Sequence, residues 1–313
     1  MGTARKNTRE PHPEAQAIPA AQEPRHILLA VRDDGRFSQI VQSRLAEAGW
    51  DVLLFDNPGQ VLGALGEHGV ALIILDAALP GAQEAVHQAK LDPQTNRIPI
   101  VALFPRGGSP LRPSELRVRA DLELAEPLDV RQLLEAAQRQ ATRCAEAAPA
   151  PEREVQFILP SRQADLEQAT GLASALLRSS GLGDAAQTSL LAAFREAVGN
   201  AIQHGNQRDP AKCVHVRYCQ GPDAITIEVR DQGIGFDAQH YLRQATRKDA
   251  AEAARDRSRQ GGQGGLGILM LLRCTDHVEY NEKGNVVTLT KRLHTAAPGP
   301  DQGDQASQED ATT

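Results

Sequence analysis

Three short stretches in the C-terminal part of this 313-residue chain carry residue types at spacings that suit phosphate chemistry. In TSLLAAFREAVGNAIQHGN (188–206), Leu190, Leu191, Phe194, Val198, Ala201 and Ile202 share one side of a helical wheel, and Glu196, Asn200 and Gln203 form a narrow stripe opposite. A carboxylate and a carboxamide one turn apart then point the same way. The carboxylate can accept a proton or orient a hydroxyl, and the amide oxygen beside it can ligate Mg²⁺. In VRDQGIGFD (229–237), Asp231 offers an acceptor for an exocyclic amine such as that of adenine, while Gly233 and Gly235 let another molecule come close to the backbone. In GGQGGLGILMLL (261–272), glycines run into an apolar helical pattern, so the unpaired N–H groups of a first helical turn form an anion cradle suited to phosphate. Taken singly, each stretch also reads as a solvated helix face, a strand-ending turn or a linker. Neither GxxxxGK[ST] nor a GxGxxG after a first βαβ strand is present. In the N-terminal part, Asp33, Asp34 and Asp76 fall at the ends of apolar strands, where carboxylates from two strands could hold a divalent cation.

Two textures must position these groups. From residue 26 to 143 short apolar runs alternate with helical patterns: HILLAV (26–31), a helix near 36–48, DVLLF (51–55), a helix near 58–67, VALIILD (70–76), IPIVALF (98–104) and ADLEL (120–124). Strands alternating with helices predict βαβ units and an α/β domain with a parallel sheet. From 154 to 294 the order differs: EVQFIL (154–159), helices near 162–179 and 185–204, strands VHVRY (214–218) and ITIEVRD (225–231), a helix at 266–274, and a hairpin over 278–293 turning at Lys283-Gly284. That order predicts an α+β sandwich, an antiparallel-rich sheet with helices on one face. Residues 144–153 read as a linker, and 1–25 and 295–313, rich in Pro, Gln, Glu and Ala, read as disordered tails.

Composition narrows the classes. Lys plus Arg number 34 against 40 Asp plus Glu, and a net charge of -6 is too weak an imbalance for a protein that coats nucleic acid or a membrane surface. The longest apolar run, VALIIL, is far too short to span a bilayer, and the polar N-terminus has no signal core. A cytoplasmic protein is expected, with no nucleic-acid or membrane partner. Four cysteines without a CxxC pair suggest neither a disulfide framework nor a zinc site.

With Asp33-Asp34 after the first strand and Asp76 in LIILDAALPG, the first segment resembles the receiver domain of bacterial response regulators, which implies a doubly wound parallel sheet of flavodoxin-like type. The resemblance implies that Asp76 is the phosphoacceptor candidate and that Asp33 and Asp76 form a metal site. Where that family places Asp, Thr or Ser, and Lys, this chain has Arg32, Phe104 and Glu126. A phosphoryl group on Asp76 would lack hydroxyl and ammonium partners and would face a carboxylate. Both a working phosphorylation switch, fed by an upstream histidine kinase, and a degenerate receiver used for docking or dimerisation stay open.

The order Glu-x-x-x-Asn helix, Asp-x-Gly-x-Gly turn, polar stretch, Gly-rich helix start and closing hairpin resembles the GHKL ATP-binding superfamily (Bergerat fold). REAVGNAIQHGN and GGLGILMLLRCTDHVEYNEKGNVVTLTKRL make residues 152–294 similar to the bacterial anti-sigma-factor serine kinases. That resemblance implies ATP and Mg²⁺ as cofactors. It assigns Asn200 to Mg²⁺, Asp231 to the adenine amino group, Gly233 and Gly235 to base and ribose, Gly265 and Gly267 to the phosphates, and Glu196 as catalytic base. Residues 237–263 would form an ATP lid carrying Arg247, Lys248 and Arg257, although the arginine common among that family's last glycines is Gln263 or Gly264 here. His204 is read as a helix-end residue, not a phosphoacceptor. The implied function is a protein-serine kinase that phosphorylates an anti-sigma-factor antagonist under control of the receiver-like domain and alternately binds a sigma factor; a homodimer is compatible with this. The alternatives are a nucleotide-dependent partner switch without transfer, and the detached catalytic half of a histidine kinase.

Overall fold

The computed structural model describes residues 26–32, 36–66, 69–108, 114–127, 129–146, 151–247 and 265–293. Both tails, Asp33, Asp34 and most of the expected lid therefore lie outside the described residues.

The first half is a five-stranded parallel sheet in the order β2-β1-β3-β4-β6, built from β1 (His26–Ala30), β2 (Asp51–Leu54), β3 (Val70–Asp76), β4 (Ile100–Phe104) and β6 (Leu122–Ala125). This is the doubly wound flavodoxin-like order, with the chain reversing direction of growth beside β1 and β3. All seven residues of β3 are buried, as a strand covered on both faces requires. Because successive strand residues face opposite ways, Ile27, Leu29, Leu72 and Ile74 pack under Val41 and Leu45 of α1 (Arg36–Glu47) and Leu133 and Ala137 of α4 (Val130–Glu146). Their neighbours Leu28, Ala30, Ile73 and Leu75 pack on the other face with Val61 of α2 (Pro58–Ala64) and Ala85, Val86 and Ala89 of α3 (Ala82–Leu91).

The second half is a six-stranded sheet in the order β10-β11-β9-β8-β7-β5, antiparallel at every pairing. It is built from β7 (Arg153–Pro160), β8 (Cys213–Gln220), β9 (Ala224–Arg230), β10 (His277–Tyr280) and β11 (Val286–Arg292), with β5 (Arg117–Val118) joining from the first half. Alternate residues Phe157, Val216, Ile227 and Leu289 face a helical layer made of α5 (Gln163–Arg178), α6 (Asp184–Asn200) and α8 (Gly265–Cys274). Leu172, Leu176, Phe194, Val198 and Leu271 supply the helical side of that core. A further helix, α7 (Ala238–Arg247), occupies the start of the expected lid.

Three features differ from the expectation. Helices α3 and α4 arise from segments whose periodicity had assigned no element. The expected linker is shortened at both ends, because α4 runs through Glu146 and β7 takes in Arg153. Most consequentially, β5 (Arg117–Val118), which lies between β4 and β6 in the chain, pairs antiparallel with β7 through Arg117↔Ile158 and Val118↔Phe157. The edge of β7 thereby gains hydrogen-bonding partners that water would otherwise supply. Around this seam the two halves share one hydrophobic core, in which Val118 and Ala120 join Val155 and Phe157. Polar groups close the seam: the Asn96 side chain donates to the Glu154 carbonyl at 3.1 Å and accepts the Glu154 N–H at 2.9 Å. The buried Arg153 guanidinium donates to Ser179 Oγ at 2.6 Å and to the Leu91 carbonyl at the end of α3.

Candidate functional site

Helix α6 forms because DAAQTSLLAAFREAVGN is rich in strong helix formers and begins with an acid, Asp184, where the helix dipole favours it. Its apolar side buries Leu190, Phe194 and Val198 against the sheet, which turns Glu196 and Asn200 toward α8. The Asn200 amide donates to Glu196 Oε1 at 3.0 Å. Its own oxygen has no donor among the described residues and stays open to a cation.

Beyond Asn200 the helix widens into one π-helical turn, Ala201–Gly205, a form common at functional sites. The turn delivers Gly205 against Asp231, so closely that a Cβ on Gly205 would overlap the carboxylate. Asn206, fully buried, fixes this meeting: its Oδ1 accepts the Gln232 N–H at 2.7 Å, and its amide donates to Ser161 Oγ at 2.8 Å and to the Cys213 carbonyl at 3.0 Å. Neither Gly205 nor Asn206 was singled out from the sequence. The Gly-Asn dipeptide just after an amphipathic helix was the available signal, and it reads there only as a helix stop.

Asp231 follows directly on β9 and exchanges hydrogen bonds with Asn285, its N–H to the Asn285 carbonyl at 3.0 Å and its carbonyl from the Asn285 amide at 3.1 Å. Its Oδ1 accepts the Gly233 N–H at 2.7 Å, and Oδ2 has no donor among the described residues. Burial pushes its carboxyl pKa above the ordinary value, against a smaller opposite pull from the Gly233 N–H and from Lys283 and Lys212. Gly235 adopts φ +81° with its α-carbon pressed on the Lys283 carbonyl, a place no L side chain fits. That contact comes from the β10–β11 turn, in which Asn281 Oδ1 accepts the N–H groups of Asn285 and Val286.

Helix α8 completes the site. Gly265 opens it, and Gly267 in its first turn lies so near Glu196 that a Cβ would overlap Oε1. The helix end that carries unpaired N–H groups therefore abuts the Glu196–Asn200 pair.

Glu196, Asn200, Asp231, Gly235 and Gly267 line one cavity of about 250 Å³. Gly233 sits just behind it, beside the Gly205 carbonyl. Tyr280 and Phe236 close one side, their rings 5.4 Å apart edge to face, and burial together with the nearby Glu196 raises the Tyr280 phenol pKa. Ile234, Phe236, Tyr241 and Leu266 leave much of their apolar surface exposed. Gln203 is turned out of this cavity and lines a neighbouring one. His204 also lines the first cavity, from the π turn. Among the described residues no cluster of three or more His, Cys, Asp or Glu could hold a metal by itself. Asn200 is the residue here that would hold a cation, through its side-chain oxygen. Arg247 ends α7, and Lys248 and Arg257 lie outside the described residues.

A second cleft, of about 700 Å³, lies at the C-terminal ends of the parallel strands. Asp76 is buried there, but its Oδ2 accepts Arg32 Nε at 2.7 Å and its Oδ1 accepts the Ala78 N–H at 2.8 Å. Phe104 and Glu126 line the same cleft, and Glu126 Oε2 accepts the Arg106 N–H at 3.1 Å. Asp33, expected beside Asp76, lies outside the described residues.

Comparison with known proteins finds the following likenesses. The profile of the histidine kinase-like ATPase domain matches residues 159–291. The anti-sigma F factor of Clostridium perfringens (strain SM101 / Type A) is 31% identical over 111 residues, covering 34% of this chain and 74% of that protein. A Bacillus subtilis (strain 168) protein, described as the uncharacterized transcriptional regulatory protein YkoG, is 29% identical over 109 residues, 35% of this chain. The chain spans only 47% of that relative's length. Among solved structures, a CheY-like receiver domain from Methanospirillum hungatei JF-1 matches at 20% identity and TM-score 0.33, over 39% of this chain and 98% of that one. The receiver domain of a sensor histidine kinase from Pseudomonas aeruginosa PAO1 matches at 22% and 0.32, over 38% and 98%. The receiver fold assignment rests on the strand order itself and not on these scores. By its second half the chain belongs to the family of the anti-sigma F factors and carries a histidine kinase-like ATPase domain, with a receiver-fold half joined in front.

Proposed function

We propose that this protein binds Mg-ATP in the cavity between α6, α8 and the β9 end, and transfers the γ-phosphoryl group to a serine or threonine hydroxyl of a partner protein, an anti-sigma-factor antagonist. One observation carries the reading: Glu196, Asn200, Asp231 and the bare start of α8 surround a single cavity. Asp231 Oδ2 accepts the adenine amino group. Gly235 and Gly233, packed without side chains on the Lys283 and Gly205 carbonyls, hold the backbone wall against which the base would lie. Gly265 and Gly267 give the phosphates access to the first-turn N–H groups of α8. Asn200 would hold Mg²⁺ through its side-chain oxygen, and the ion would supply neutralisation of the charge that builds up on the phosphate oxygens. Glu196 accepts the proton of the acceptor hydroxyl as its oxygen bonds to the γ-phosphorus, and the bond from that phosphorus to the β,γ-bridging oxygen breaks with release of ADP. Phosphoryl transfer asks mainly for positioning and charge neutralisation, and a single carboxylate near the attacking oxygen suffices for the proton.

The receiver half is read as a docking unit. The Arg32 guanidinium already neutralises Asp76 at hydrogen-bond distance, and Glu126 would repel an added phosphoryl group. Incubation with Mg²⁺ and acetyl phosphate is expected to leave Asp76 unmodified in intact-mass measurement; a stoichiometric acyl-phosphate adduct would reinstate the switch.

The kinase reading is tested by incubating the protein with γ-labelled Mg-ATP and antagonist proteins. Transfer should yield acid-stable label and fall at least about a hundredfold in Glu196→Gln, with nucleotide affinity retained. Nucleotide binding with no transfer to any antagonist supports the partner-switch alternative, and acid-labile label on a histidine supports the histidine-kinase alternative.

A further inference from the structure

Next to the nucleotide cavity lies another of about 410 Å³, between the start of α5, the outer side of α6 and the exposed side of α8. Glu196 lines both. Building on the kinase reading above, we propose that this groove receives the acceptor segment of the protein substrate, and that it selects a serine or threonine flanked by an apolar residue and by a carboxylate.

Displacement at phosphorus is roughly in line, so the acceptor oxygen arrives from the side opposite the departing ADP. A general base must lie within about 2.6–3.2 Å of the hydroxyl it relieves of a proton. A carboxylate forming the wall between two cavities meets both conditions when phosphates fill one cavity and the acceptor enters by the other. Glu196 stands in that wall.

The floor of the groove is apolar. Leu166 and Ile202 are 5% and 3% exposed, and Met270 is 38% exposed, so its flexible thioether can adapt to more than one apolar side chain. Gly199 keeps the floor low beside Glu196. A Cβ there would meet nothing nearer than Leu166 Cδ2, at 3.9 Å, so packing does not require glycine, and a helix interior disfavours it. Its effect is to leave a strip of α6 at backbone level where an incoming segment can lie.

The rim is basic. Arg195 is already paired with the Glu167 carboxylate. Arg208 is exposed and has no carboxylate partner among the described residues. Its backbone is held in the left-handed region, φ 57°, by an N–H to the Ile202 carbonyl at 2.8 Å. A fixed backbone and a guanidinium that no carboxylate of the described residues pairs, at the edge of an apolar groove, complement an acidic residue beside the acceptor.

The test uses the full chain with γ-labelled Mg-ATP, a positional library of serine- and threonine-centred peptides, and a panel of folded antagonist proteins. Nucleotide affinity is measured in parallel. The proposal expects peptides with Asp or Glu at one flanking position and an apolar residue at another to be enriched about threefold to fivefold. Arg208→Glu should turn the acidic preference into one for Lys or Arg. Gly199→Leu should lower transfer by about tenfold or more without changing nucleotide affinity. Labelled peptides without acidic preference, or a preference that Arg208→Glu leaves intact, overturn the groove and leave the kinase reading standing. Label on folded antagonists but on no peptide likewise overturns selection of a linear segment. No label on either, with nucleotide bound, overturns the kinase reading itself.

Discussion

A methyl group on Gly267 would enter the space of the Glu196 carboxylate and lie 3.1 Å from the Asn200 amide nitrogen. Alanine is the better helix former, so Gly267→Ala should keep α8 and its circular dichroism while displacing both side chains. Nucleotide affinity is expected to fall about tenfold, roughly 1.4 kcal/mol, and an unchanged calorimetric titration would show that the pair does not touch the ligand. Asp231 leads to a pH prediction. Its folded pKa is raised above the ordinary 3.8 by burial, so between the two values the folded state holds the extra proton. Acidification through that window does not cost stability through this group; raising the pH through it does. Protonation does remove an acceptor for the adenine amino group. The advantage of the native protein over Asp231→Asn in ADP affinity should therefore shrink on acidification before pH 3.8 is reached, and a ratio independent of pH would rule out ionised Asp231 as the ligand.

At the level of elements, the π-helical turn and the residue after it decide whether the Glu-Asn helix and the Asp-Gly strand end form one site. Asn206 serves three partners from three segments, Ser161 just after β7, Cys213 at the start of β8 and Gln232 just after β9. Asn206→Leu, of similar size, would strand those groups without water and should destabilise the fold by about 3 kcal/mol. The shift appears as a lower denaturant midpoint at constant slope. Nucleotide affinity should fall with it even under conditions where the variant is fully folded, since Gln232 adjoins Asp231; loss of stability with intact affinity would make Asn206 a purely structural residue.

For the molecule as a whole, the joining of β5 to β7 and the shared core predict that both halves unfold together. Two local probes exist. Trp50, the single tryptophan, packs against the core of the parallel sheet, and Cys213 is buried in β8 of the other. Tryptophan fluorescence and Cys213 labelling should report one midpoint in urea. Arg153→Ala removes the donors to Leu91 and Ser179 at the seam and should split the two signals. Two midpoints in the unaltered chain would show that the halves fold separately.

Much of this was legible in the residues alone. The alternation of apolar runs with helical patterns located β1, β3, β8, β9 and the β10–β11 hairpin to within a few residues, because period 2 and period 3.6 are local properties. The residue types in REAVGN, DQGIG and GGLG singled out Glu196, Asn200, Asp231, Gly235 and Gly267, which the fold gathers around one cavity. What periodicity could not reach was short or non-local. A two-residue strand, β5, has no period, and its partners in β7 lie far along the chain, Ile158 opposite Arg117 and Phe157 opposite Val118. The closure of Asp76 by Arg32, the hold of Asn206 on Ser161, and the double duty of Glu196 between two cavities each depend on where distant segments come to rest. Chemistry and local conformation were written in neighbouring residues; tertiary packing alone, by fixing register and close approach between segments far apart, decided which of those groups meet.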